Sequence, residues 1–310
     1  MKKQKLAAAL FLALFAVPLM LGGCGRRDAA ARPTEAPEAE ADTGRRDGER
    51  FDAVIVLEGM EETVHYEHLT NNELGFEMDY DYEAFVRHSQ SDREQFVSRW
   101  DDPGDPENYL EVRYNPRDAE TVAAAIGAAL STEYEISRDD SFMLDGAGRC
   151  IRLDASEVKG GGYMPENLQT VYIIPAGDGC RIAAVHTYIV ESEGFGRRFR
   201  YMLDTFSPLA SRGEKRLTDE QAVCAVRNYC LIRDPDLAGI VKAGEYPVYW
   251  DISASDEKEI AVVFRSYTGA LERYYIDPVS GETRVTEFVP GITDEEQTKD
   301  ESLIAWDYWF

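Results

Sequence analysis

Apolar positions along this chain fall into contrasting patterns, and each pattern predicts a different kind of segment. From Leu6 to Leu21 they run without a charge, rich in Leu, Ala and Phe and broken by Pro18. From Gly25 to Arg50 there is no Val, Ile, Leu, Met, Phe, Trp or Tyr. Such a stretch buries too little apolar surface to offset its ordering entropy, so it is expected to be a disordered tether. Next come short alternating runs bounded by Gly, Asp and Asn, which predict strands at Val54–Leu57, Thr63–His68, Gly75–Asp81 and Tyr109–Tyr114. The same pattern returns at Tyr134–Ser137, Cys150–Glu157, Thr170–Ile174 and Ile182–Val190, with Gly177-Asp178-Gly179 as a tight hairpin turn.

Two helical stripes interrupt these strands. Asn115 is expected to cap the first helix with Pro116 in its first turn, and Val122, Ala125, Ile126, Ala129 and Leu130 form its apolar face. The second spans about 192–206, with Phe195, Phe199, Met202, Leu203 and Phe206 on one side. After the polar stretch 211–216 the pattern restarts with Thr218-Asp219-Glu220-Gln221, a capping box that opens a helix carrying Ala222, Val223, Val226 and Tyr229 inward. Asp234-Pro235 begins a short helix ended by Gly244, and strands follow at Val248–Ser253, Glu259–Tyr267, Leu271–Asp277 and Thr283–Val289. In the tail, Thr293-Asp294-Glu295-Glu296-Gln297 has the pattern of a helix start.

These elements imply an α+β protein: an antiparallel sheet flanked by helices over 51–212, and a smaller helix-and-antiparallel-sheet domain with a C-terminal tail over 216–310. The run Asn72-Glu73-Leu74-Gly75-Phe76-Glu77-Met78-Asp79-Tyr80 is similar to the opening strand of the PsbP-like α/β sandwich. Glu193-Gly194-Phe195, followed by a helix ending Met202-Leu203-Asp204-Thr205-Phe206, resembles that family's last helix. Asp81 replaces the proline usual after the aromatic. The resemblance covers roughly 66–206 and implies a fold often used as a non-enzymatic accessory module. Tyr275-Ile276-Asp277-Pro278-Val279-Ser280-Gly281-Glu282, after a helix and a hairpin, looks like a PepSY-type module, which implies a small extracytoplasmic interaction domain.

The amino terminus adds an address. Lys2, Lys3 and Lys5 precede the apolar run, the layout of an export signal over 1–23, and the run is short for the roughly 17–25 residues that span a bilayer. Leu21-Gly22-Gly23-Cys24 resembles the bacterial lipobox. That resemblance implies lipidation of Cys24, cleavage after Gly23 and a chain tethered through 24–50 to the extracytoplasmic face of the cell membrane. Two or more acyl chains, each methylene worth about 0.8 kcal/mol, would make the anchor stable.

Net charge is −25, and removing the three lysines of the leader takes it to −28. So acidic a chain lacks the Lys and Arg clusters that nucleic acid or anionic lipid would require. Cys150, Cys180, Cys224 and Cys230 permit two disulfides outside the cytoplasm, but the first two are expected two strand spacings apart and the others on different sides of one helix, which favours buried thiols.

Known catalytic signatures are missing: there is no G-x-S-x-G, H-E-x-x-H, Walker loop or G-x-G-x-x-G. His65 and His68 should face opposite sides of a strand, His88 and His186 stand apart, and Gly160-Gly161-Gly162 reads as a loop. Asp79, Asp81 and Glu83, or Asp101, Asp102 and Asp105, are candidate calcium ligands without an EF-hand pattern, and a solvated acidic face is preferred. No cofactor or metal is expected. The expected function is a non-catalytic binding or accessory module whose partner is an envelope protein, a polymer or a small ligand. The alternative is an extracytoplasmic hydrolase using a carboxylate pair, which leaves no spacing signature. Trp306, Tyr308, Trp309 and Phe310 form the densest aromatic stretch, either a hook for a partner or the completion of the second core, and the latter is preferred.

Overall fold

A computed structural model describes residues 44–57, 59–102, 104–160, 167–211, 213 and 215–310. The leader, the lipobox Leu21-Gly22-Gly23-Cys24, most of the tether, Gly161 and Gly162 lie outside the described residues. The chain begins with β1 (Arg50–Leu57), β2 (Met60–Asn71), β3 (Phe76–Asp81), β4 (Phe85–Ser89), β5 (Arg93–Ser98) and β6 (Tyr109–Asn115). Helix α1 (Ala119–Leu130) leads to β7 (Tyr134–Leu144), β8 (Gly148–Val158), β9 (Asn167–Ala176) and β10 (Gly179–Tyr188). Helix α2 (Ser192–Asp204) and the two-residue β11 (Ser207–Pro208) close this half. The rest is α3 (Asp219–Arg233), α4 (Asp236–Ala243), β12 (Tyr249–Ser255), β13 (Ile260–Arg265), β14 (Leu271–Ile276), β15 (Glu282–Phe288) and β16 (Gln297–Ile304), ending in a 3-10 turn over Ala305–Tyr308.

Three sheets result, in the orders β1-β2-β3-β11, β4-β5-β6-β10-β9-β8-β7 and β12-β13-β14-β15-β16. Every described pairing is antiparallel, so the fold is α+β with antiparallel sheets. Alternation decides the layering. On the seven-stranded sheet Phe96, Leu110, Val112 and Ala183 face one way and pack with Phe76 and Met78 from the first sheet, Phe199 from α2 and Phe206 just after it. Val171, Ile173 and Ile182 face the other way, under Val122, Ala123 and Ile126 of α1. A third cluster joins α3, through Ala222, Ala225, Val226 and Cys230, to Val262, Tyr274, Ile276 and Val285 of the last sheet. The first two clusters draw on residues 51–206 plus Phe310, the third on 217–309. All described residues belong to one compact unit.

Several local expectations change in the structure. Helix α1 begins at Ala119, and its cap is Asp118, whose Oδ1 accepts from the Thr121 N–H at 2.9 Å. Asn115 is not the cap, because its side chain is used elsewhere. The tail does not start a helix at Thr293: Gln297–Ile304 is strand β16, paired in part with β15, whose edge would otherwise expose unpaired backbone groups. Glu296, expected in a first helical turn, instead accepts from Tyr275 at 3.0 Å and Thr286 at 2.9 Å. The β4–β5 hairpin was not among the expected strands. The capping box at Thr218 is present in full, with Gln221 Oε1 accepting from the Thr218 N–H at 2.9 Å. Gly179, at φ +135°, completes the predicted turn; a Cβ there would lie 2.2 Å from the Asn115 carbonyl oxygen, so this position brings β10 close against the end of β6.

Candidate functional site

Helix α1 covers only part of its face of the seven-stranded sheet. Register then dictates what the uncovered part presents. Arg93 pairs with Arg113 and Gln95 with Glu111 between β5 and β6. Tyr109 pairs with His186, and His186 in turn with Gln169, between β6, β10 and β9. Cross-strand partners share a face, so these side chains lie side by side. They line a cavity of about 420 Å³ walled by Ile126 and Leu130 of α1, Ile182 of β10 and Phe310 of the tail. That is within the roughly 300–1,000 Å³ of small-molecule pockets.

The pocket has a charged end and a neutral end. At the charged end Arg113 Nε donates to Glu111 at 2.5 Å, and Arg93 lies 3.6 Å from Glu111 and 3.3 Å from Asp92. The Arg113 guanidinium also sits 4.6 Å from the Trp309 ring centroid, a cation–π contact. At the neutral end Tyr109 and His186 stack at 4.2 Å with an interplanar angle of 17°. Burial, with Arg113 adding to it, pushes the His186 imidazole down to about 4, so it is neutral near pH 7. Burial, with Glu111 adding, pushes the Tyr109 phenol up to about 12.

No protein-family model matches the sequence, and no curated protein matches it. Among solved structures it is similar to a protein of Bacteroides thetaiotaomicron VPI-5482 crystallised at 1.50 Å, with 12% identity over 66% of this chain and 87% of that one and a TM-score of 0.31. A likeness at that level assigns neither fold nor activity.

The aromatic tail lies against both halves of the molecule. Trp306 and Trp309 are buried in the cluster built on α3, Tyr308 packs edge-on against Tyr229 at 5.0 Å, and Phe310 reaches the cluster under α1 and the pocket wall. Asn115 donates to the carbonyls of Trp306 at 2.9 Å and Trp309 at 2.8 Å, and Arg117 pairs with Asp307. Burial raises the Asp307 carboxyl against the opposing pull of Arg117.

The other candidates do not gather into one site. His65 is hydrogen-bonded to Asp52 at 2.7 Å on the surface, whereas His68 is buried against Asp79 at 2.7 Å. Asp81 accepts from Arg198 at 2.9 Å and from the Ala84 N–H at 3.0 Å, and Asp101 from the Asn108 N–H at 2.5 Å. Among the described residues no group of His, Cys, Asp and Glu has metal-binding geometry, and no helix is long and apolar enough to cross a membrane. The four described cysteines are free thiols, and burial pushes Cys150 up to about 11 and Cys180 up to about 12. Glu272 and Glu301 share Arg233 and Lys299. Burial pushes both carboxyls up, yet hydrogen bonds outweigh it, from Lys299, Tyr274 and Arg233 to Glu272 and from Tyr229 and Arg233 to Glu301. Both are lowered, the reverse of what a general acid needs.

Sequence reasoning missed the pocket. Arg93 and Gln95 sit on an unread hairpin, and His186 carries no local signal. The one usable hint was the alternation of Tyr109, Glu111 and Arg113 on a single strand, three polar residues on the face that ought to be covered.

Proposed function

We propose that this chain is a lipoprotein anchored through Cys24 to the extracytoplasmic face of a membrane, and that its folded part binds a ligand rather than transforming one. In this reading a PsbP-like module over 51–212 carries the pocket, and a PepSY-like module over 216–310 buttresses it through its tail. The observation that carries the proposal is the pocket's chemistry. Among the described residues the side chains of Gln95, Tyr109, Gln169 and His186 converge there without a hydrogen-bond partner, while the one side-chain carboxylate lining it, Glu111, is paired with Arg93 and Arg113. Polar groups left without partners inside a pocket favour a ligand that satisfies them. A hydrolase of the carboxylate-pair kind would need a second side-chain carboxylate facing Glu111, and among the described residues none lines this cavity.

The test uses the secreted form of the whole mature chain with fractions of its own cell envelope. A bound ligand at about 100 times its Kd raises folding stability by about 2.7 kcal/mol. The expected result is a rise in Tm with one fraction and no consumption of it. Turnover of a fraction component that disappears in Glu111→Gln would overturn the binding reading in favour of the hydrolase.

A further inference from the structure

Four side chains of the pocket make no hydrogen bond among the described residues, and they are of one kind. Gln95 and Gln169 each present an amide with two donors and a carbonyl acceptor, Tyr109 a hydroxyl, and His186 an imidazole with one donor and one acceptor when neutral. Every one of them both donates and accepts. None carries charge at neutral pH. The charged residues, in contrast, each have a partner of opposite charge: Arg113 pairs with Glu111 and lies over the Trp309 ring, and Arg93 pairs with Glu111 and Asp92.

That division selects among ligand classes. An anion would meet the Glu111 carboxylate that is paired with both arginines, and a cation would meet two guanidinium groups against one lining side-chain carboxylate. An apolar ligand would leave four polar side chains without partners, at about 1–3 kcal/mol for each buried group. A polyhydroxylated neutral molecule meets none of these penalties, since hydroxyls donate and accept as the pocket groups do. Its C–H faces would lie on Ile126, Leu130, Ile182 and the Phe310 ring. We infer that this pocket binds a neutral saccharide of one or two rings, hydrogen-bonded by Gln95, Tyr109, Gln169 and His186 and packed against Phe310. The assignment rests on the binding reading above and names its ligand class. It also makes Phe310, from the tail, part of the specificity surface.

The test is calorimetric titration of the mature chain with three neutral disaccharides, maltose, cellobiose and N,N′-diacetylchitobiose, alongside glucose 6-phosphate and spermidine. Binding of at least one disaccharide is expected, weakened tenfold or more in Gln169→Leu and in His186→Phe, with neither charged probe binding at the pocket. Phe310→Ala should weaken the same disaccharide while leaving Tm nearly unchanged, since this side chain is only partly buried. Should a variant fail to fold, Gln95→Leu provides a second reading, as Gln95 is half-buried and makes no side-chain hydrogen bond among the described residues. Binding of glucose 6-phosphate that is lost in Arg93→Gln, with no disaccharide bound, overturns the saccharide class but leaves a binding module. Silence from all three disaccharides while an envelope fraction still raises Tm also overturns the saccharide class, and again spares that wider reading.

Discussion

The side-chain amide of Asn115 donates to the carbonyl of Trp309 at 2.8 Å across the boundary between the two halves of the molecule. It donates to the Trp306 carbonyl as well, at 2.9 Å, and its own oxygen accepts from the Arg117 N–H at 2.8 Å. One fully buried residue therefore holds the end of β6, the approach to α1 and the turn of the tail in a single arrangement. Because Trp309 lies beneath Arg113 and Phe310 closes the pocket, the same residue sets the geometry of the candidate site.

Asn115→Ala should accordingly be costly. Two buried carbonyls lose their donor, at about 1–3 kcal/mol each. Urea denaturation should show the loss, and Asn115→Asp should fare no better, because a carboxylate would face two carbonyl oxygens. Unchanged midpoints for both variants would mean that the tail is held by its aromatics alone.

The aromatics make a separate prediction. Trp309 is 2% exposed and belongs to the α3 cluster, so Trp309→Ala should cost about 3–5 kcal/mol. Truncation after Gly291 removes β16 as well and should be worse, leaving β15 as an open edge. Thermal melts of both variants decide between a structural tail and a partner hook: stability kept with envelope binding lost would make the tail a hook.

These contacts show where sequence reading stops. The Thr218 capping box was legible because both partners lie within one turn, and α2 because its phenylalanines share a face. Asn115 was read as a cap because Asn beside Pro is a local helix-start signal; its real partners are Trp306 and Trp309, far along the chain, and nothing local encodes them. The tail's acidic run reads as a helix start, and only the β15 edge makes it a strand. The pocket is harder still. It depends on the register that sets His186 against both Tyr109 and Gln169, a relation among three strands that alternation along any one of them leaves open.

Lipidation at Cys24 is tested independently of the fold. Residues 45–50, expected in the tether, instead join the first sheet, with the Gly48 N–H donating to the His68 carbonyl at 2.8 Å and Arg45 paired with Asp79 at 3.2 Å. Cys24→Ser should still be unprocessed or released, with folding unaffected, because residues 25–43 include no large apolar side chain with which to join a core. Metabolic labelling with a fatty acid decides it: label retained in the variant would show that the lipid is elsewhere.

The last prediction concerns acid. Burial and Arg113 hold the His186 imidazole down to about 4 in the folded protein, against about 6.5 in an unfolded chain. Between those values the unfolded state takes up a proton that the folded state refuses, so this residue makes stability rise with pH across the window and fall as pH drops from about 6.5 to 4. Below about 4 both states are protonated and the loss from this residue is complete. The steepest slope one such group produces is about 1.4 kcal/mol per pH unit. Asp307, whose carboxyl is raised by burial, acts with the opposite sign just above its ordinary value, and His65, raised by its hydrogen bond to Asp52, likewise favours the folded state in acid. Both contributions are common to wild type and variant, so the difference between the two isolates His186. His186→Phe keeps a ring against Tyr109 and removes the titration. Urea midpoints measured from pH 7 to pH 4 should fall more steeply for wild type than for His186→Phe, with the gap opening below about pH 6.5. Parallel curves would mean that the pocket opens far enough for His186 to titrate as it does in water, and a disaccharide that needs the neutral ring would then bind less well already at mildly acid pH.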